Sequence, residues 1–220
     1  MKIIALIPAR SRSKRIKKKN SKNFLGEPLI KWTIKTAKKV KEINNIFVST
    51  DDEQIIKLCK KNDVRVPWKR PKNLCGDKVS SVSVALHFLS WYEKKYSKLD
   101  GLLLLQPTSP FRKKETIRRA IKLFQKNKNK VIVSFSYLSK KKSQLIFFHN
   151  KKSNLASKSI DFNNMIKLNG LIYLISPKNL RKYKSFFKPH VLPLMVNSVE
   201  EAIDLDTHED WQIAEKLKSK

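Results

Sequence analysis

The chain has 220 residues, enough for one domain with a substantial core, and its 40% hydrophobic content excludes a disordered polymer. No apolar run approaches the roughly 20 residues that a membrane-spanning helix needs, so the expectation is a cytoplasmic protein without a membrane partner. The formal charge of +31 suggests nucleic acid, but only nine of the 49 basic residues are Arg and the lysines are spread along the whole chain, so no nucleic-acid partner is expected.

Ile3–Pro8 reads as a first buried strand, and residues 28–40 as a helix with Leu29, Ile30, Thr33, Ile34 and Ala37 on one face. Residues 46–49 form the second strand and 51–61 the next helix, with Asp51 or Asp52 as its cap. A short strand is predicted at 64–66, then a helix over 80–96 carrying Val82, Ala85, Leu86 and Leu89 at helical spacing. Residues 101–105 are a continuous apolar run, the sign of a central strand covered on both faces. A helix over 115–124, a strand over 131–135, a strand over 171–175 and a terminal helix over 209–218 complete the reading. Cys59 and Cys75 have neither CxxC spacing nor a nearby His and are read as idle thiols. The alternation predicts βαβ units, hence a mainly parallel sheet sandwiched by helices in one domain spanning 1–220. Residues 137–168 break that rhythm. They are polar and Lys-rich, and are read as an insertion projecting from the sheet, a dimerisation arm.

In an open parallel sheet, ligands bind beyond the carboxyl ends of the strands, and the unusual residues of this chain fall there. The first strand runs into a basic loop over 9–20 that holds Arg10, Arg12, Lys14, Arg15 and Lys19. Such a loop either surrounds a triphosphate with charge-assisted bonds or is a solvated basic run. It is no P-loop, and with four glycines in the chain both the Walker and the dinucleotide fingerprints are absent. After the most buried strand, residues 105–112 stiffen a turn with Pro107 and Pro110, while Gln106, Thr108, Ser109 and Arg112 offer donors to a ligand. Arg70-Pro71, Asp77 and Ser80-Ser81 set an Arg beside a helix N-terminus, fit for a base edge and ribose or phosphate oxygens, or simply a cap and a surface Arg. In an extended segment Asp204 and Asp206 would face one side and converge on one hard cation such as Mg²⁺; a pair of capping aspartates is the alternative.

Taken together and in order, these motifs resemble the acylneuraminate cytidylyltransferase family, the CMP-sialic acid synthetases. The pieces that match are Ile7-Pro8-Ala9-Arg10 with Ser13-Lys14 and Lys19-Asn20, Val48-Ser49-Thr50-Asp51, Arg70-Pro71 with Leu74 and Asp77, residues 105–112, Asn169-Gly170 with Ile172-Tyr173, and residues 203–206 with Ala214-Glu215. The resemblance implies a Rossmann-like nucleotidyltransferase fold, a homodimer, Mg²⁺, and CTP with an acidic nine-carbon 2-keto sugar as substrates. It further implies that Arg10, Lys14, Lys19 and Asn20 bind triphosphate and ribose, and that Arg70, Ser81 and the backbone near Val79 read cytosine. Gln106, Tyr173, Phe186 and Phe187 would contact the sugar, with Lys167 beside them. Asp204 and Asp206 would hold the metal, and Asp206 or a metal-bound hydroxide is the candidate acceptor for the sugar's proton. Two departures stand out. Arg12 occupies a position where a small residue is usual, either crowding the loop or adding a contact. Lys167-Leu168 replace a common Arg-Pro pair, which weakens the case for bidentate carboxylate recognition. Legionaminic, pseudaminic and Kdo-type acids are therefore alternative sugars.

Overall fold

The computed structural model describes residues 1–127, 130–137 and 166–218. Strand β1 (Ile3–Pro8) leads through a basic loop and a short hairpin, β2 (Asn23–Phe24) and β3 (Glu27–Pro28), into α1 (Leu29–Lys38). There follow β4 (Asn45–Ser49), α2 (Glu53–Lys61), α3 (Ser81–Lys95), β5 (Gly101–Leu104), α4 (Lys114–Lys126) and β6 (Val131–Tyr137). The described chain closes with β7 (Ile166–Ile175), α5 (Pro177–Tyr183), β8 (Val191–Met195) and α6 (His208–Lys218). The insertion expected over 137–168 falls, for residues 138–165, outside the described residues.

The main sheet has the order β4-β1-β5-β7-β6-β8. Three of its pairings, β1 with β4, β1 with β5 and β6 with β8, are parallel, while β7 runs antiparallel to both neighbours. The parallel sheet read from the alternation is thus present, with one reversed strand. Both faces are covered, as continuous apolar strands require. Along β1, Ile3, Ala5 and Ile7 join the cluster that includes α1 and α4 residues Ile34 and Phe124. Ile4 and Leu6 join the opposite cluster with Phe88 and Leu89 of α3.

Local signals fix the helix starts. Asp52, not Asp51, caps α2 by accepting from the Gln54 amide at 2.9 Å, and Ser80 caps α3 by accepting from the Ser83 amide at 3.1 Å. The strand predicted at 64–66 is instead a single parallel bridge between Phe47 and Arg65. Both thiols are buried and free, and burial pushes that of Cys59 up to about 12. No helix among the described residues is long and apolar enough to cross a membrane.

Strand β7 begins earlier than expected because Asn169 and Gly170, polar and strand-averse, lie within it. The register between β6 and β7 shifts between Val133 and Phe135, and Gly170 takes a φ of 70°, a conformation only glycine adopts without strain. The buried side chain of Asn169 replaces the lost ladder bonds. Its Oδ1 accepts from Ser134 Oγ at 2.6 Å and from the Leu171 amide at 3.2 Å, while its Nδ2 donates to Ser136 Oγ at 2.8 Å. Replacing Asn169 by Leu removes all three bonds, although Ser134 Oγ keeps its bonds to the Ile172 backbone. The expected loss is about 2 kcal/mol or more in urea unfolding with an unchanged m-value; an unshifted midpoint would contradict this role.

Candidate functional site

A cleft of about 310 Å³ opens beyond the carboxyl ends of β1 and β5, where an open α/β sheet binds its ligands. Its first wall is the basic loop. The loop is held in shape by Ile16, which is 1% exposed and packs with Phe24, Phe111, Leu205 and Trp211 in a small apolar cluster of its own. Ser11 donates through its amide and its hydroxyl to the two oxygens of Asp51. Burial pushes the Asp51 carboxyl up, but these bonds and the charge of Arg70 outweigh it and hold it below its ordinary value. Asn20 donates to the Arg10 carbonyl at 3.1 Å, so it braces the loop as well as lining the cleft.

Arg10, Lys14, Arg15 and Lys19 all reach the cleft. They share two carboxylates. Asp77 pairs with Arg10 at 3.1 Å and Lys14 at 3.4 Å, and Asp206 pairs with Lys19 at 2.9 Å and Arg15 at 3.3 Å. Arg12 is exposed and lies off the cleft wall, so it neither crowds the loop nor adds a contact there.

The second wall is formed by Arg70, Leu74, Gly76, Val79, Ser81 and Val84. Ser81 opens α3, whose N-terminal amides lend this wall a partial positive charge. Arg70 is buried, with Nε donating to Ser49 Oγ at 3.0 Å and Nη2 to the Ser49 carbonyl, so two of its three nitrogens are held by the second strand. Arg10 crosses to this wall, donating to the Gly76 carbonyl at 2.8 Å.

The floor is the loop of Gln106, Pro107 and Thr108. Of the four donors expected in this loop, only Gln106 and Thr108 line the cleft. Ser109 and Arg112 point inward and are buried, so neither reaches the cleft. Arg112 instead donates to the Leu171 carbonyl at 2.9 Å, Thr33 Oγ1 at 3.1 Å and the Gln106 carbonyl at 2.7 Å. Burial lowers its pKa to about 9, opposed by Glu201 and Asp204, so the guanidinium stays charged at neutral pH. Glu201 in turn accepts from the Lys113 amide at 2.8 Å at the start of α4.

The acidic segment is not extended. The Asp206 amide donates to the Asp204 carbonyl at 3.0 Å, a tight three-residue turn, and also to Asp210 Oδ2 at 3.1 Å. The buried Leu205 between them donates its amide to the Thr108 carbonyl at 2.8 Å, locking the segment onto the floor. Asp206 lines the cleft; Asp204 faces inward, with Oδ1 shut away from solvent and without a hydrogen-bond partner. Burial raises the Asp204 carboxyl to about 6, with Asp206 adding to the shift and Thr108 and Lys19 opposing it. Among the described residues no cluster of three or more His, Cys, Asp or Glu could hold a metal ion. Two carboxylates with nucleotide phosphates are a fitting donor set for Mg²⁺, and the orphaned Asp204 oxygen is consistent with that.

Of the residues predicted for the sugar, Gln106 lines the cleft, with Gly170 pressed so close that a Cβ there would lie 2.6 Å from its Oε1. Tyr173 meets Phe186 in a tilted contact and Phe187 edge to face, at centroid distances of 5.3 and 6.2 Å, and burial with the charge of Asp204 raises its hydroxyl. These three and Lys167, which pairs with Ser136 across the sheet, are not on the cleft wall. The structure therefore brings together every residue predicted for the nucleotide, and only one of those predicted for the sugar. Sequence reasoning missed Asp210, whose Oδ2 accepts from Asp206 and Thr207; a Thr three residues before an Asp at a helix start was the available signal.

The chain matches a family model described as cytidylyltransferase over residues 4–209. It is 38% identical to the CMP-N,N'-diacetyllegionaminic acid synthase of Legionella pneumophila, over 99% of this chain and 96% of that protein. It is 32% identical to the N-acylneuraminate cytidylyltransferase of Escherichia coli, over 100% of this chain but 52% of that protein. Its fold is that of CMP:2-keto-3-deoxy-manno-octonic acid synthetase complexed with CTP, with a TM-score of 0.78 at 15% identity, covering 100% of this chain and 99% of the other.

Arg112→Met strips the Arg112 donor from two buried acceptors, the Leu171 carbonyl and Thr33 Oγ1, and from the part-buried Gln106 carbonyl. The expected cost is about 3 kcal/mol, read as a lower thermal midpoint by calorimetry. A variant as stable as the parent would show that the floor does not need this guanidinium.

Proposed function

This chain belongs to the cytidylyltransferase family and is a nucleotidyltransferase, and from that premise we propose that it joins CTP to an acidic nine-carbon 2-keto sugar, giving the CMP-sugar and pyrophosphate. The observation that carries this reading is the convergence of Arg10, Lys14, Arg15 and Lys19 on a cleft bordered by Arg70 and the start of α3, with Asp206 facing them. A triphosphate needs the first set, and a base edge and ribose suit the second.

The anomeric hydroxyl attacks the α-phosphate in line while pyrophosphate leaves. Charge builds on the phosphate oxygens and on the leaving group, and Arg10, Lys14 and Lys19 offset it from fixed positions. Lys19 is the best fixed, because it donates to the Leu205 carbonyl at 2.6 Å as well as to Asp206 at 2.9 Å. Asp206 takes the hydroxyl proton or orients the oxygen. Asp206 and Asp204 would hold Mg²⁺, which supplies further charge neutralisation on the phosphates. Gln106 meets the sugar, with Tyr173, Phe186, Phe187 and Lys167 as its outer surroundings. Homodimerisation belongs to the same proposal and is read by light scattering.

A second reading of the sugar, a legionaminic-type acid, is favoured by the 38% identity to the Legionella protein. Pyrophosphate release with CTP against a panel of N-acylneuraminic, legionaminic, pseudaminic and Kdo-type acids separates the two. Release with UTP or ATP but not CTP would overturn the cytidine assignment. Asp206→Asn is expected to lower kcat about a thousandfold while CTP affinity, measured by calorimetry, stays within a few-fold, because Lys19 and Arg15 keep their charge. Unchanged pyrophosphate release in that variant would remove Asp206 from the chemistry.

A further inference from the structure

Strand β7 breaks its own ladder where it passes the cleft floor. Between the pairs Val133–Tyr173 and Phe135–Leu168, β7 places four residues, Asn169 to Ile172, where β6 places Ser134 alone. Such a bulge gives up ladder bonds, and here it delivers a close approach in return. A Cβ on Gly170 would stand 2.6 Å from Gln106 Oε1 and 3.8 Å from Gln106 Cδ, but at an ordinary 3.6 Å from Asp204 Oδ2. The bare backbone of Gly170 therefore meets the end of one side chain, and that side chain lines the cleft. Neither main chain is free to back away. Arg112 donates to the Gln106 carbonyl at 2.7 Å and to the carbonyl of Leu171, the neighbour of Gly170, at 2.9 Å. On the other side of Gly170, the Asn169 carboxamide is bonded to Ser134 and Ser136 of β6. With both backbones tied, a methyl group at position 170 would displace the one movable part, the Gln106 carboxamide.

We propose that Gly170 is a positioning residue for the acidic sugar: its missing side chain fixes the depth and direction of the Gln106 carboxamide in the cleft. The proposal rests on the reading that Gln106 meets the sugar, and adds to it the group that aims Gln106. Gly170 is not part of the walls that face the phosphates and the base, so it acts on the sugar and not on the nucleotide. Any effect of a side chain at position 170 is carried by Gln106 and disappears with it.

The test is a double-mutant cycle on the full chain, with Gly170→Ala, Gln106→Ala and the two combined. Pyrophosphate release is followed with CTP, Mg²⁺ and either an N-acylneuraminic or a legionaminic-type acid, and CTP binding is followed by calorimetry. Gly26→Ala is the control for backbone strain, because Gly26 has a φ of 87° with nothing within 4 Å of its Cβ position. Gly170→Ala is expected to raise the sugar KM about tenfold while CTP affinity stays within a few-fold. In the Gln106→Ala background the same change leaves the sugar KM within about twofold, and Gly26→Ala leaves it at the wild-type value. CTP binding lost in Gly170→Ala but recovered in the double variant supports the same coupling. An equal rise in sugar KM from Gly170→Ala with and without the Gln106 side chain overturns the proposal, since strain in β7 is then the cause. So does an unchanged sugar KM in Gly170→Ala. CTP binding lost in both Gly170 variants but kept in Gln106→Ala also overturns it, by marking a glycine that folding alone requires. A sugar KM indifferent to Gln106→Ala removes Gln106 from the sugar site, and the proposal with it, but leaves cytidylyl transfer standing. A wild type that releases pyrophosphate with neither acid overturns the parent reading as well.

Discussion

The cleft depends on a small apolar cluster that is separate from the two main cores. Ile16 interrupts the basic loop and Leu205 separates two aspartates, yet both side chains are buried together with Phe24, Phe111 and Trp211. Phe24 and Trp211 meet edge to face with centroids 5.0 Å apart, an arrangement favourable beyond the area it buries. Burying Ile16 forces its charged neighbours outward on either side, and burying Leu205 fixes Asp206 at the cleft wall. Opposite charges are thus brought to one cleft by apolar packing, not by their own attraction. That order of causes matters because half-exposed ion pairs are too weak to fold a loop.

Much of this arrangement is legible in the amino-acid sequence. The strands that lead into the cleft are short, continuous apolar runs, and the nucleotide-facing residues sit at their carboxyl ends, where position alone makes them candidates. What escapes a sequence reading is whatever depends on a partner distant in the chain. The β7 extension hides behind Asn169 and Gly170, whose polarity is repaid by Ser134 and Ser136 on the neighbouring strand. Strand β8 contains Pro193, which argues against a central strand, and it is tolerated because β8 lies at the sheet edge. Helix α5 has only seven residues, although Ser176 before Pro177 carried a usable start signal.

The same limit explains where side chains were misplaced. Arg112 lies in a motif rich in polar groups and reads as a ligand donor, but its three acceptors come from α1, β7 and its own loop, and they draw it inward. Charge without coordinates cannot tell a buried strut from a binding group. Asp204 and Asp206 read as an extended pair, yet the amide of Asp206 turns back on Asp204 and leaves one carboxylate inside and one in the cleft. The net charge of +31 is dispersed by comparison. Its positive groups within the cleft are few, and two carboxylates pair with most of them.

The bond between Lys19 and Asp206 joins positions 187 residues apart. Closing so long a loop costs entropy that local contacts do not offset. The site exists only where the basic loop and the acidic turn meet. Partly folded chains therefore lack the site altogether, and a nucleotide has affinity for the finished molecule alone. A ligand that binds across the two segments stabilises the native state by mass action, because a chain in which they are apart offers it no equivalent site.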